Sequence, residues 1–238
     1  MTSRPGPALR DDLLEVFDAL DAMHAWRGWH WWPDADPFEV IVGAILVQNT
    51  MWSNVERALE LLRGAGALTP ATMAALTHAE LEELIRPSGQ YRQKARKLRA
   101  FLDLVAVHGS LEQFLQLPPA DLRSALLATW GIGPETADAI ILYASRRLAW
   151  SIDAYTIRLF GRLNIGPTHT TSYDEWQRFF IENLPPDRDL WARYRALIVM
   201  HCKHLCRKHQ PKCHECGLLP RCPGSPLHHA SPTMSAPP

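Results

Sequence analysis

The chain has 238 residues, of which 47% are hydrophobic and 21% charged, so its length and composition are those of a globular protein with a substantial core. No apolar stretch reaches the roughly 18 residues that a transmembrane helix needs, and the first residues lack the apolar centre of a secretory signal peptide. We therefore expect an intracellular protein that does not enter a membrane. The formal net charge of zero gives no overall attraction to a polyanion.

The charge is divided unevenly along the chain. Residues 1–90 contain 6 Lys and Arg against 13 Asp and Glu, whereas residues 91–238 contain 19 against 12, which gives formal charges of −7 and +7. The segment YRQKARKLR (91–99) has five basic residues and no acidic one. Such a run is typical of a solvated helix face as well as of a DNA contact, so it points only weakly to a polyanionic partner.

Helical periodicity dominates the chain, which predicts an all-α fold class. One face of the first helix carries Leu9, Leu13, Val16, Leu20 and Met23. The apolar segment 38–50 favours strands by residue type but continues into a helical pattern, so we predict a buried helix there. Four further helical segments follow it: Trp52–Leu62, Thr69–Ala75, Ala79–Arg86 and Gln90–Val107. Residues 224–238 are expected to form a disordered tail.

Residues 130–139 (WGIGPETADA) predict a tight turn between two helices. Gly131 and Gly133 end the first helix, and Pro134 suits the first turn of the second. Unsatisfied N–H groups at such a turn form a binding site for a phosphate, and glycine lets a phosphate oxygen approach where a Cβ atom would obstruct it. An ordinary helical hairpin explains the same residues, so the turn alone does not decide the function.

Two further features bear on chemistry. Asp153 precedes a predicted helix, Ala154–Leu163, for which it is a good N-cap. Four cysteines in the pattern C-x6-C-x2-C-x5-C lie within seventeen residues, which in an intracellular chain indicates a metal site rather than disulfides: Cys206, Cys213, Cys216 and Cys222. Both zinc and an iron–sulfur cluster accept four cysteine ligands.

The remaining cysteine and the nearby histidines bear on the choice of metal. Cys202 is left over from the pattern and is expected to be a buried thiol. His204, His209 and His214 keep zinc open as an alternative. Lys208 and Lys212 lie on the same loop, where they are expected to contact phosphates.

Together these features resemble the endonuclease III superfamily of helix-hairpin-helix DNA glycosylases. The segment LLATWGIGPETADAIILYA is similar to its hairpin, Asp153 follows Glu135 by 18 residues as the catalytic aspartate of that family does, and the cysteine spacing resembles its [4Fe–4S] loop. The resemblance covers about residues 31–222. It implies two helical lobes: a barrel domain with the hairpin (29–147), and an iron–sulfur domain (1–28 with 148–223) followed by the tail (224–238).

The resemblance also implies roles for individual residues. Asp153 would stabilise the positive charge that develops on the sugar when the glycosidic bond breaks. Glu135 stands where bifunctional relatives have the lysine that forms a Schiff base, which implies hydrolysis by water without lyase activity. Contacts to DNA are expected from Gln48, Gly131, Ile132, Gly133, Thr136, Lys208 and Lys212. In this set Gln48 matches the residue that fills the space left by a flipped base.

The segment WWPDADPFEVIVGAILVQNTMW resembles the 3-methyladenine DNA glycosylase III branch of the superfamily. This implies a substrate pocket of Trp31, Trp32, Pro33 and Trp52, whose aromatic faces suit a cationic alkylated purine. Two alternatives stay open: the same fold acting on mismatched thymine or oxidised pyrimidines, and a non-catalytic DNA-binding protein with a structural metal. The expected partner is double-stranded DNA with a damaged base, bound by a monomer in the cytoplasm, at the nucleoid.

Overall fold

The structure, a computed structural model, describes residues 6–24 and 36–228. All regular secondary structure in these residues is helical, which confirms the all-α prediction. The described part contains the α-helices α1 Gly6–His24, α2 Pro37–Leu46, α3 Trp52–Gly64, α4 Pro70–Ala75, α5 His78–Leu84, α6 Tyr91–Val107, α7 Leu111–Leu115, α8 Pro119–Ala128, α9 Pro134–Tyr143, α10 Ala154–Leu163, α11 Tyr173–Asn183 and α12 Arg188–His204. It also contains the 3-10 turns Arg86–Ser88, Cys213–Glu215, Leu219–Arg221 and Pro226–His228.

The described residues fall into two compact units. One unit comprises residues 36–151 and holds helices α2–α9, and the other comprises residues 6–24 and 152–228 and holds α1 and α10–α12. Within both ranges, no helix is long and apolar enough to cross a bilayer.

Helix α2 forms the centre of the first unit. Eight of its ten residues are buried, and it packs against α3, α6 and α9, which explains why its sequence is apolar on all sides. It begins after the N-cap Asp36, whose side chain accepts a hydrogen bond from the Phe38 N–H. The predicted helix over 38–50 is shorter in the structure and ends at Leu46, because the backbone turns into the left-handed region at Asn49 (φ 55°).

Aromatic residues and α1 form the core of the second unit. Leu13, Val16 and Leu20 are fully buried on the predicted face of α1, which packs against α11 and α12. Phe160 of α10 meets Phe180 of α11 edge to face, with ring centroids 4.9 Å apart.

The segment after the last cysteine is folded further than the sequence suggested. The sequence predicts disorder from residue 224, but the Gly224 N–H donates a hydrogen bond to the Arg162 carbonyl at 2.9 Å and Ser225 is buried. A Cβ atom on Gly224 would lie 2.7 Å from that same carbonyl oxygen, so only glycine lets the chain pass this close to α10. The rest of the expected tail, from residue 229, lies outside the described residues.

Candidate functional site

The turn between α8 and α9 is closed by its own backbone. The Ile132 N–H donates to the Thr129 carbonyl at 3.1 Å, and the Ile132 side chain is buried. Helix α9 then begins at Pro134, and its N-cap is Gly133, which has no side chain that could accept a hydrogen bond from the first N–H groups; we call this end, without an N-cap side chain, the open N-terminus of α9. The acidic Glu135 is exposed in the first turn, where a carboxylate interacts favourably with the helix dipole.

The structure explains the presence of glycine at one of the two glycine positions of this turn but not at the other. Gly131 has φ 83°, and a Cβ atom there would lie within 3.0 Å of side-chain carbons of Lys97, so the fold itself requires glycine. Gly133 has φ −93°, which any residue adopts, and a Cβ atom there would meet no protein atom within 4 Å. The packing of the described residues therefore explains Gly131 but does not explain Gly133.

Gln48 is held against the hairpin. Its amide NH2 group donates to the Thr136 hydroxyl at 2.9 Å and to the Gly131 carbonyl at 3.3 Å, while its oxygen accepts a hydrogen bond from the Lys97 ammonium group. Burial lowers the pKa of Lys97. The sequence indicated Gln48 and Thr136, but it gave no signal that Lys97 lies beside them.

A second lysine of α6 is deeply buried. The Lys94 ammonium group donates to the Leu46 carbonyl at 2.8 Å and to the Ser88 carbonyl at 2.6 Å. Burial, and to a lesser extent the charge of Lys97, lowers the pKa of Lys94 to about 8. Lys94 thus closes the C-terminal end of α2, where a cation is favourable.

Asp153 is the N-cap of α10, as predicted from the sequence. One carboxylate oxygen accepts hydrogen bonds from the Thr156 N–H at 2.7 Å and from the Thr156 hydroxyl at 2.8 Å. The other oxygen lies 3.1 Å from a guanidinium nitrogen of Arg195, and 9% of the side chain is exposed. The carboxylate is therefore fixed from three directions and keeps only a narrow opening to solvent.

Arg195 is the partner that sequence reasoning missed. It lies in the middle of α12, its side chain is 8% exposed, and the nitrogen that meets Asp153 also donates to the Thr156 hydroxyl at 2.9 Å. Three side chains thus form a closed triangle in which each contacts the other two. Arg195 belongs to no recognisable motif and is 42 residues from Asp153, so no local pattern could have found it.

The other end of α10 holds the cysteine loop, residues 206–222. The Arg162 guanidinium group contacts the Cys206 sulfur at 3.2 Å and donates to the carbonyls of Arg207 at 2.8 Å and Lys208 at 3.2 Å. The Arg162 carbonyl accepts the hydrogen bond from Gly224, just after the last cysteine. Both ends of the loop therefore meet at one residue of α10.

The four cysteines of the predicted pattern line a single cavity. Its volume is about 370 Å³ with its opening to solvent included, and its lining contains Cys206, Cys213, Cys216 and Cys222. None of these residues forms a disulfide. Within the described ranges, no three His, Cys, Asp or Glu side chains come together closely enough to bind a single metal ion. The cysteines instead surround a space.

The thiols in and beside this cavity are electrostatically distinct. The neighbouring Cys202 thiol, reinforced by Arg162, lowers the pKa of Cys206. Burial raises the pKa values of Cys216 and Cys222. Cys202 is buried as expected, and its pKa is raised by the Cys206 hydrogen bond and by burial.

A buried histidine, rather than the three named from the sequence, lies at the cavity. His201 lines it, with one ring nitrogen 3.6 Å from the Cys216 sulfur and the other 3.0 Å from His24. Burial and the neighbouring His24 lower the pKa of His201 to about 3. His204, His209 and His214 are exposed, and they are not among the lining residues.

Three of the remaining predicted contact residues lie within the described residues, and they differ in exposure. Trp52 is partly buried at the first position of α3, whereas Trp31, Trp32 and Pro33 lie outside the described residues. Lys208 is exposed. The ammonium group of Lys212 lies 3.1 Å from the carboxylate of Glu215 and forms an ion pair with it.

Comparisons with known proteins identify the relatives of this arrangement. Residues 42–186 match the family described as "HhH-GPD superfamily base excision DNA repair protein". A Methanocaldococcus jannaschii protein named "Putative DNA repair glycosylase MJ1434" is 41% identical over 195 residues, which cover 81% of this chain and 88% of that protein.

Solved structures show the same fold. The 3-methyladenine DNA glycosylase (MagIII) of H. pylori, bound to 1,N6-ethenoadenine, is 30% identical with a TM-score of 0.71 over 80% of this chain and 97% of that one. The endonuclease III of a non-covalent endonuclease III–DNA complex is 21% identical, with a TM-score of 0.75 over 97% of this chain and 100% of that one. At this identity the similarity shows a shared fold and nothing about function.

Proposed function

Because the chain belongs to the HhH-GPD superfamily of base excision DNA repair proteins, we propose that it is a monofunctional DNA glycosylase that excises alkylated purines such as 3-methyladenine. It would act as a monomer on double-stranded DNA, turn the damaged nucleotide out of the helix and hydrolyse its N-glycosidic bond. The product is an intact abasic site.

The observation that carries this proposal is the fixed carboxylate of Asp153. When the bond to the base breaks, positive charge develops on the deoxyribose, and a negative group already in place stabilises that state without reorganising. Thr156 and Arg195 hold the Asp153 oxygens so that the carboxylate does not need to be ordered during the reaction. A water molecule is the nucleophile.

The hairpin supplies the contact to the DNA backbone. The N-cap of α9, Gly133, has no side chain that would obstruct an anion at this helix end, and a phosphate there would account for a glycine that the protein's packing does not need. Gly131 and Ile132 form the turn, and Thr136 positions Gln48, whose amide would fill the space left by the flipped base. On the cysteine loop, Lys208 is the more accessible phosphate contact, because Lys212 is paired with Glu215.

Alkylated purines are the proposed substrates because they are cations and good leaving groups. Trp52, together with Trp31, Trp32 and Pro33, would form the pocket, since aromatic faces both stack on bases and attract cations. The 30% identity to a 3-methyladenine DNA glycosylase bound to an ethenoadenine supports this assignment. Such a leaving group needs little acid catalysis, which fits a site where the Asp153 carboxylate is already paired with Arg195.

We assign a [4Fe–4S] cluster to the cavity of the cysteine loop. The donor set fits this group, because four cysteines surround one space and Arg162 donates a hydrogen bond to the sulfur of Cys206. When bound, the cluster would supply four metal–sulfur bonds that cross-link the loop, a structural role. Arg162 and the Gly224 backbone hold the ends of that loop against α10.

The substrate assignment is tested by incubating the purified protein with methylated duplex DNA and identifying the released bases by mass spectrometry. We expect release of 3-methyladenine by the wild type. Release of thymine from a mismatch or of oxidised pyrimidines, with none from methylated DNA, would contradict the substrate class. No release from any of these duplexes, although they are bound, would identify a non-catalytic DNA-binding protein.

The absence of lyase activity is tested by borohydride treatment of the protein with lesion DNA. Glu135 cannot form an imine, so we expect no covalent adduct. A trapped adduct would contradict hydrolysis by water, and Lys97 would be the first residue to replace, because its side chain packs against the hairpin at Gly131.

A further inference from the structure

The basic run 91–99 is explained only in part by the functions described above. Three of its five cations are used inside the protein, since Lys94 and Arg99 donate to backbone carbonyls and Lys97 donates to Gln48. Arg92 lies 4.0 Å from Glu82. The guanidinium group of the fifth residue, Arg96, has no carboxylate at ion-pair distance in the part of the chain that the structure describes.

Arg96 is paired with an exposed aromatic ring. Its guanidinium carbon lies 4.5 Å from the centre of the Trp130 ring, and Trp130 is 47% exposed. An indole that is half exposed to water contributes little to a hydrophobic core, and an exposed cation–π contact contributes little to the stability of the fold. Stacking leaves the N–H groups at the edge of the guanidinium available to bind an anion. Because the stacked side chain is already restricted, it loses less conformational entropy when it binds.

The stacked pair is fixed next to the hairpin. Trp130 directly precedes Gly131, and the residue after Arg96, Lys97, packs its side chain over the same glycine. Helix α6 and the hairpin lie in the same compact unit, so the pair keeps a constant position relative to the open N-terminus of α9. A phosphate bound at that N-terminus would place the rest of a DNA backbone close to the pair.

We propose that Arg96 and Trp130 form a second backbone-binding subsite for duplex DNA, beside the hairpin. The guanidinium group binds a phosphodiester through two N–H groups, and the exposed part of the indole packs against an adjacent deoxyribose. The inference rests on the proposed function, because it assumes that the hairpin binds DNA. It adds a contact that reads no base sequence and that contributes to affinity for damaged and undamaged duplexes alike.

The protein contains a matched control for this pair. Arg86 stacks on Tyr91 at 4.7 Å in the same unit, but its guanidinium group is also paired with Glu83. Arg86→Gln and Arg96→Gln remove the same charge and the same type of cation–π contact. Only Arg96→Gln removes a cation whose partner, on this proposal, is DNA.

The first measurement is the salt dependence of binding to an undamaged duplex, with the full-length holoprotein. Each phosphate contact adds about 0.9 to the slope of log K against log salt concentration. We expect Arg96→Gln to lower the magnitude of the slope by about 0.9 and to weaken binding at low salt, whereas Arg86→Gln keeps the wild-type slope. A wild-type slope for Arg96→Gln, or an equal decrease in both variants, would overturn the proposal.

A second measurement tests the indole directly. In protein labelled with 5-fluorotryptophan, the 19F signal of Trp130 is identified from its loss in Trp130→Phe, and we expect it to shift on addition of duplex DNA. An unchanged signal at saturating duplex would exclude the contact. A larger effect with single-stranded DNA would indicate base stacking instead and would equally overturn it. Neither measurement involves base release, so a failure of the proposed glycosylase activity is detected separately.

Discussion

Helices α9 and α10 begin in opposite ways, although each presents an N-terminus at a proposed functional residue. The N-cap of α9 is Gly133, which has no side chain to cap the helix, whereas the N-cap of α10 is Asp153, whose side chain accepts a hydrogen bond from Thr156. An open N-terminus attracts an anion, and a capped one holds a carboxylate rigidly. On the proposed function, the same local structure would serve DNA-backbone binding in one helix and charge stabilisation in the other.

The largest effect is expected from Asp153→Asn. Asparagine caps a helix as well as aspartate does, so α10 should keep its N-terminus, but the negative charge is lost and the buried Arg195 loses its ion-pair partner. We expect base release to slow by about 100-fold or more while binding to abasic-site DNA is retained. Single-turnover assays and binding titrations check this. Unchanged base release would remove Asp153 from the reaction.

Gly131→Ala would test whether the fold itself requires glycine at this position of the turn before α9. Alanine at φ 83° is strained and would clash with Lys97, so we expect the free energy of unfolding to fall by about 1–3 kcal/mol. Urea unfolding measures the difference. Gly133→Ala is the control, with an expected loss below about 1 kcal/mol, because alanine is a poorer N-cap than glycine but adds neither backbone strain nor a clash here. Equal losses in the two variants would contradict the distinction between the glycines.

Gly133→Asp would turn the open N-terminus of α9 into a capped one, like that of α10. The added carboxylate should maintain or slightly increase stability, but it would occupy the N–H groups and repel phosphate. We expect affinity for duplex DNA to fall by about tenfold at low salt. Gly133→Ser caps the helix without charge and separates steric obstruction from repulsion. Wild-type affinity in both variants would show that DNA does not contact this helix end.

Lys94 extends the comparison to a helix C-terminus. Its pKa of about 8 in the folded protein lies below the ordinary value of 10.5, so between these pH values the unfolded chain binds a proton that the folded chain has released. Stability attributable to Lys94 therefore increases as the pH rises through this window. Lys94→Met should show a flatter pH dependence of the free energy of unfolding. Parallel curves for the two proteins would contradict the lowered pKa.

The sequence predicted those parts of the site that depend on local signals. Helix α10 has the predicted bounds, because an aspartate N-cap and the periodic apolar residues after it are local features. The cysteine pattern likewise led to the four residues that line one cavity. The end of α2 was placed too late, because apolar residues continue beyond Leu46 although the backbone does not stay helical.

The contacts that fix the site side chains could not be read from the sequence. Arg195 meets Asp153, and Lys97 meets Gln48, only because distant helices pack together, and neither contact leaves a periodic or spacing signal. The difference between Gly131 and Gly133 also depends on the fold. It follows from a backbone angle and from the position of the Lys97 side chain.

Helix α10 has ten residues and is therefore about 15 Å long, with Asp153 before its first turn and Arg162 in its last. A helix of this length moves as a rigid body. A tilt imposed at the end where Arg162 contacts the cysteine loop must therefore displace the Asp153 carboxylate at the opposite end. Substitutions at Cys206 or Gly224 should therefore displace Asp153, and the loop should tolerate only changes that preserve its contacts with Arg162.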